Sequence, residues 1–303
     1  MSNAKVYAIL IGVMILWGIN TPWMKIIIAS GDPLTLQATR VFIASLVIFI
    51  ILKSLRKSLL VPNMPWKYIW IGAFFGVMLH HGFYAFGIDK TTAMKAGIIN
   101  GLSPLFTAMA AVIFKDTIMT RTKFIGFALG FSGILVAIVK GWNDLFAWEI
   151  GDIYIFLSFF LQSFSFIAIR RATKVIQPML MTAWMQFVGS LVLVAVAIII
   201  QPSNFLVFTT MPSNVFIIFL LSGIVATGIG HTLYNLCIQQ IGAAESAIFS
   251  NFNTIFSLIA SAIILNEVLT LQQFFGCLLV VLGVLTGTGN MERLIRWRRT
   301  AKQ

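Results

Sequence analysis

The chain has 303 residues, 59% hydrophobic and only 10% charged, with a mean hydropathy of +0.96. A soluble domain carries about 25% charged residues, so a soluble globular protein is excluded and lipid is the expected solvent. The net charge of +12 points to nucleic acid only in a soluble protein; here Lys and Arg sit in short segments between apolar runs, which excludes that partner.

Crossing a bilayer takes about 20 predominantly apolar residues. In chain order the predicted spans are 6–29, 35–52, 66–88, 93–114, 124–139, 151–169, 179–200, 215–238, 243–265 and 271–289. The connections carry Pro, Asn, Asp or charge, and none is long enough for a soluble domain. The expected fold is therefore an all-α integral membrane protein of ten transmembrane helices. The first apolar run follows Lys5 as a signal peptide does, but it continues into Trp17, Pro22 and Lys25 without a small-residue cleavage site, and it reads as the first span.

Polar groups in a bilayer must face protein or a water-filled cavity, so their distribution maps the interior. Span 1 places Trp17, Asn20, Thr21 and Met24 on one helical face, beside Pro22. Span 3 places His80, His81 and Tyr84 on one side, and span 4 carries Asn100, Ser103 and Thr107 around Pro104. Span 6 contributes Ser158, Gln162 and Ser165; span 7, Thr182, Gln186 and Ser190. Span 8 has Thr227, His231, Tyr234 and Asn235, and span 9 has Ser246, Ser250, Asn253, Thr254 and Ser257. Spans 5 and 10 are different, their apolar stretches holding little beyond Ser132 and Cys277. Spans 1, 3, 4, 6, 8 and 9, and part of 7, are expected to line a central polar cavity; spans 5 and 10 are expected to face lipid or a second protomer. The competing reading is that Ser, Thr and Asn merely bond across helices, but such glue has no reason to avoid the same span in both halves. Gly72-x-x-x-Gly76, Gly97-x-x-x-Gly101, Gly126-x-x-x-Gly130 and Gly283-x-x-x-Gly287 are expected to pack helices within the monomer, with a homodimer through spans 5 and 10 as the other use of such faces.

The chain also repeats itself at an offset of 150 residues. His81 matches His231, Tyr84 matches Tyr234, Phe106 matches Phe256, Thr120 matches Thr270, Gly126 matches Gly276 and Gly133 matches Gly283. Five spans per copy force the second copy to enter the membrane from the opposite side. Two inverted five-helix repeats with a site at their interface form a transporter architecture. The expected division is 1–143 for the first repeat, 144–290 for the second and 291–303 for a basic cytoplasmic tail. Placing both termini in the cytoplasm collects Lys53, Arg56, Lys57, Lys67, Lys115, Arg121, Lys123, Arg170, Arg171 and Lys174 on the inner side, with the tail, and leaves Lys25, Arg40, Lys90, Lys95 and Lys140 toward the outside. That is the positive-inside bias. The basic loop at 115–123 and its partner at 266–270, which has no Lys or Arg, differ as inversion requires. The tail segment 293–299, with Trp297, reads as an anchor to anionic lipid.

Among ionisable groups, His81 and His231 are candidates for solute binding or proton relay, because imidazole titrates near physiological pH; neutral, hydrogen-bonded packing is the alternative. Glu245 opens the ninth span, where a helix N-terminus welcomes a carboxylate and proton coupling is the alternative role. Lys25 and Arg40, near the outer ends of spans 1 and 2, are expected to snorkel to the headgroups or pair with Asp32 as an outer gate. Cys237 and Cys277 form neither a disulfide framework nor a metal site. No catalytic spacing, phosphate loop or intramembrane carboxylate pair is present, so no enzyme activity, cofactor or metal is expected.

Trp17-Gly18 with Lys25 and then Arg40, Leu102-Ser-Pro-Leu-Phe-Thr107, and Leu265-Asn-Glu-Val-Leu-Thr270 followed by Gly276 and Gly283 together resemble the EamA-type transporters of the drug/metabolite transporter superfamily, over nearly the whole chain. The resemblance implies alternating access and, for most members, export of amino acids, related metabolites or toxic compounds, with the proton gradient used by many. Thr254 stands where the second repeat often has proline, which implies a less kinked second half, and Asp116 stands one place before the match to Glu267. The expected function is a secondary transporter in the bacterial inner membrane exporting a small metabolite, an amino acid or a related amphipathic compound. A cavity of Trp17, Asn20, His81, Tyr84, Asn100, Gln162, His231, Tyr234 and Asn253 would bind it, with Lys25, Arg40 and Glu245 in gating or coupling. The alternatives are a non-transporting sensor or subunit and a membrane-embedded lipid-handling enzyme.

Overall fold

Backbone amides inside a bilayer find partners only along their own helix or within a closed barrel, and among the described residues every regular element is helical. The computed structural model describes residues 3–115, 118–138 and 149–287. The expectations for Asp116, Thr117, Lys140 and the tail 291–303, and the far ends of the fifth and tenth spans, lie outside the described residues.

The first half comprises α1 (Asn3–Ile28), α2 (Pro33–Ser54), α3 (Trp66–Asp89), α4 (Ala93–Asn100), α5 (Ser103–Ile113) and α6 (Arg121–Ile138). The second comprises α7 (Ile150–Ala172), α8 (Pro178–Ile200), α9 (Ser213–Ile241), α10 (Ala243–Ile248), α11 (Ser250–Leu265) and α12 (Leu271–Gly287). Seven helices are individually long and apolar enough to cross a membrane: α1, α2, α3, α7, α8, α9 and the run Glu245–Leu265 across α10 and α11. The α4–α5 pair, bent by 41°, makes an eighth. α12, at 17 residues, is apolar but short.

Local chemistry sets the ends. Asp32 caps α2 by accepting the Thr35 N–H at 2.7 Å, with Pro33 in the first turn where its missing donor is no loss. Glu149 and Asp152 form a capping box on α7, whose last turn carries Arg170 and Arg171. Pro22 does not break α1, which is continuous through it. Pro104 starts α5 after the break at Gly101 and Leu102. The second half, with Thr254 in place of proline, runs as one span from Glu245 to Leu265. Spans α3 and α9 each contain a π-helical segment, Phe74–Leu79 and Ser222–Ile229. Shifted by 150, the first falls inside the second.

Packing follows the repeat. α1 packs on α11 as α7 packs on α4 and α5; α3 packs on α7 as α9 packs on α1; α2 pairs with α8, and α6 with α12. Each contact reappears when the halves are exchanged, which is what a two-fold axis between them requires. The α6–α12 seam shows it at atomic scale. A Cβ on Gly133 would lie 2.6 Å from Gly276 O, and one on Gly126 would lie 2.6 Å from Gly283 O. These four glycines are repeat mates contacting each other crosswise, so the helices run antiparallel and touch backbone to backbone. Their small-residue faces are thus occupied inside the chain, leaving only the outer faces, with Phe124, Phe275 and Leu282 exposed, for lipid or a second copy.

Among the described residues two large apolar clusters and a small third one (Leu34, Ala38, Leu193 and Ala197) fill the interior. Of the large two, one holds Leu10, Met14, Ile48, Leu52, Ile69, Met181 and Tyr234; the other holds Met24, Ile27, Leu36, Tyr84, Ile88, Ile98 and Phe106. The repeat mates Tyr84 and Tyr234 thus lie in opposite clusters, and a polar layer lies between them.

Candidate functional site

The polar layer encloses a cavity of about 70 Å³, room for on the order of five waters. It is lined from α1 by Trp17, Asn20 and Thr21; from α2 by Arg40; from α3 by His80, His81 and Tyr84; and from α4 and α5 by Asn100 and Ser103. The second half supplies Phe159, Gln162 and Phe166 from α7, Ala226, Thr227, His231 and Tyr234 from α9, and Ser250 and Asn253 from α11. All nine residues the sequence nominated for solute binding lie on this wall, and neither α6 nor α12 contributes to it.

His81 and His231, expected at matching depth in opposite halves, meet with ring centroids 6.0 Å apart. The His80 ring lies 4.7 Å from that of His81, tilted by 55°, and is held by Ser158, whose Oγ lies 2.7 Å from its Nδ1. Arg40 Nε donates to Gln37 Oε1 at 3.2 Å, which fixes the amide orientation, so Gln37 Nε2 must be the donor to His81 Nδ1 at 2.7 Å. A neutral His81 therefore carries its proton on Nε2. His231 Nδ1 donates to Thr227 O at 3.0 Å, leaving Nε2 as the acceptor of that neutral ring.

The π segment of α9 organises this wall. A π turn departs from the regular α ladder, and its carbonyls here also accept from side chains of other helices. Arg40 Nη1 reaches Ser222 O at 3.2 Å, Trp17 Nε1 reaches Ala226 O at 2.9 Å, and Gln186 Nε2 joins His231 on Thr227 O at 3.3 Å. The Trp17 ring in turn lies 4.9 Å from His231 and 5.0 Å from Tyr234. Ser222 Oγ donates to Asn20 Oδ1 at 2.5 Å, so α1 and α2 of the first half are both tied to α9 of the second. Tyr234 OH and Asn253 Oδ1 are buried without a hydrogen-bond partner. Both residues line the cavity, where its contents can supply donors and acceptors.

The three residues nominated for gating or coupling divide. Lys25 does not pair with Asp32, which is engaged at the start of α2. Its ammonium donates to two backbone carbonyls at the end of α3, those of Ile88 (2.7 Å) and Asp89 (2.9 Å), and to that of Thr91 (2.7 Å) in the turn that follows. Helix-terminal carbonyls lack intrahelical donors and attract a cation, a stronger local demand than the loop carboxylate. Arg40 does not snorkel either: it is 2% exposed and lies in the cavity wall. Glu245 sits in the first turn of α10, away from the cavity, and accepts from Tyr7 OH at 3.2 Å. The sequence pattern leaves span 2 out of the lining; the pair Gln37 and Arg40, three apart on one side of a mostly apolar helix, is the signal for it. Span 7, expected to contribute in part, reaches the site only through Gln186 on Thr227 O.

A crystal structure superposes on the chain with a TM-score of 0.68 at 17% identity, covering 95% of this chain and 98% of its own length, a likeness of fold. Among curated relatives, the uncharacterized transporter YyaM of Bacillus subtilis is 27% identical and covers 95% of both chains. An uncharacterized transporter of Archaeoglobus fulgidus is 26% identical over 90% of this chain and 82% of its own. A chloroplastic WAT1-related protein of Arabidopsis thaliana is 21% identical over 92% of this chain and 68% of its own. The sequence pattern of the EamA-like transporter family matches twice, at residues 4–139 and 149–287, nearly end to end and once per half, and the chain belongs to that family of multi-pass membrane transporters.

Proposed function

We propose that this protein exports a small metabolite, an amino acid or a related amphipathic compound, by alternating access of its two halves around the central cavity. The observation that carries the reading is the meeting of His81 and His231 in a buried polar cavity built by both halves, the place where inverted-repeat transporters bind solute. Aromatic walls with a few fixed hydrogen-bonding groups suit an amphipathic solute better than an inorganic ion. The reading includes ten spans, with α6 and α12 as the fifth and tenth, five-helix repeats at 1–143 and 144–290, both termini in the cytoplasm, and residence in a bacterial inner membrane. Export follows the habit of the family, and the histidines at the interface are the groups suited to couple flux to a proton gradient.

The test is flux in proteoliposomes, with labelled amino acids and aromatic acids, with and without an imposed proton gradient. The expected result is gradient-responsive flux that falls at least about tenfold in His231→Ala. Flux indifferent to the gradient removes the coupling role. Undiminished flux in both His231→Ala and Tyr234→Phe removes the site, and absence of flux for every solute overturns the transport reading.

A further inference from the structure

Arg40 is a buried cation with no anionic partner among the described residues. Its five N–H groups divide unequally: Nε is satisfied by Gln37 Oε1, and Nη1 by Ser222 O, Ser222 Oγ at 2.8 Å and Thr227 Oγ1 at 2.5 Å, while Nη2 carries no hydrogen bond. All four acceptors are neutral. The described acidic side chains are engaged elsewhere or lie outside the cavity. Asp32 caps α2, Asp152 and Glu149 pair with Lys95, Glu245 receives Tyr7, and Glu267 caps α4 by accepting the Ala93 and Met94 N–H groups at 2.9 and 2.8 Å. Asp89 is exposed. None of the residues lining the cavity is acidic.

A guanidinium stays charged in a protein, and a buried charge without a partner is strongly disfavoured. Here four bonds, one from Nε and three from Nη1, hold the fork while Nη2 stays unfilled on a cavity wall. That is the arrangement of a half-built ion pair, whose missing member is a planar anion able to face the guanidinium. We infer that the transported solute is an organic carboxylate, its acid group bound by Arg40 Nη2 and its apolar remainder held among Trp17, Tyr84 and Tyr234. An ammonium finds no carboxylate here, so the acid, and not an amine, is the group recognised. The inference rests on the cavity being the solute site, and it adds the chemical class.

Four compounds of one shape test it by thermal stabilisation of the detergent-solubilised full chain: 3-phenylpropionate, its amide, 3-phenylpropylamine and phenylalanine, with a chloride titration alongside. A ligand of the native state raises the melting temperature by mass action. The expected result is an apparent affinity for 3-phenylpropionate at least about tenfold above that for the amide and the amine, not exceeded by phenylalanine, and absent in Arg40→Gln. The wild-type comparison stands without the variant, should Arg40→Gln fail to fold. Equal binding of amide or amine, binding of phenylalanine but not the acid, retention of the acid's effect in a folded Arg40→Gln, no stabilisation by the acid, or a chloride effect that accounts for all of it would each overturn the inference. Counterflow of the same compounds in liposomes separates the two readings: binding of the acid without flux of any of the four sinks transport and keeps the anion site, whereas flux of the amide or amine at the rate of the acid keeps transport and sinks the anion site.

Discussion

Trp17 and Tyr234 touch in the cavity but stand differently toward the protein, and that difference is measurable. The Trp17 indole N–H donates to Ala226 O inside the π segment, so Trp17→Phe removes a buried hydrogen bond and is expected to destabilise the protein by about 0.5–1.5 kcal/mol, read as a lower melting temperature in detergent. The Tyr234 hydroxyl has no protein partner; Tyr234→Phe is expected to leave stability within about 0.5 kcal/mol and to reduce flux. A large loss of stability in Tyr234→Phe would mean that the hydroxyl is bonded after all and is not reserved for solute. Lys25 acts at a distance from the cavity by closing the end of α3. Lys25→Met leaves three carbonyls without their donor and is expected to destabilise by about 1–3 kcal/mol; an unchanged melting temperature would show that water replaces the ammonium there.

At the scale of elements, the π segments and the glycine seam do opposite work. The π turn in α9 opens the backbone to Arg40, Trp17 and Gln186, so the wall of the site is held by side chains that cross between halves. Those bonds tie α1, α2 and α8 to a segment that departs from the stiff α ladder. The α6–α12 seam instead closes backbone to backbone. A side chain on Gly133 would meet the backbone atoms Gly276 O and Val280 N and the Leu279 Cβ, all within 3 Å of its Cβ. Gly133→Val is therefore expected to destabilise by about 3 kcal/mol, whereas Gly12→Ala, whose Cβ meets nothing within 4 Å, is expected to stabilise by up to about 1 kcal/mol through helix propensity. Equal melting temperatures for the two variants would remove the close antiparallel contact.

At the scale of the whole molecule, every major helix contact recurs on exchange of the halves, and the proposed insertion, with both termini in the cytoplasm, is open to a direct test. In a Cys277→Ser background, with Cys237 fully buried, Val268→Cys in the loop before α12 is expected to react with a membrane-impermeant maleimide in intact cells. Asn63→Cys, between α2 and α3, is expected to react only after permeabilisation. The reverse pattern would invert the topology. The sequence by itself determined what depends on local composition and periodicity. Apolar runs marked the helices, the 150-residue repeat marked the halves, and polar residues at spacings of three and four marked the faces that now meet in the cavity, because a helix fixes which of its own residues share a side. What only the tertiary structure decided are the partnerships between helices. Arg40 lies in the cavity because Ser222 and Thr227, more than 180 residues away, supply its acceptors. Lys25 turns to the carbonyls ending α3 instead of to Asp32, and the α9 π segment is tied down by donors from three other helices. Those outcomes depend on which buried groups can satisfy one another once lipid excludes water, and no pattern along a single helix encodes them.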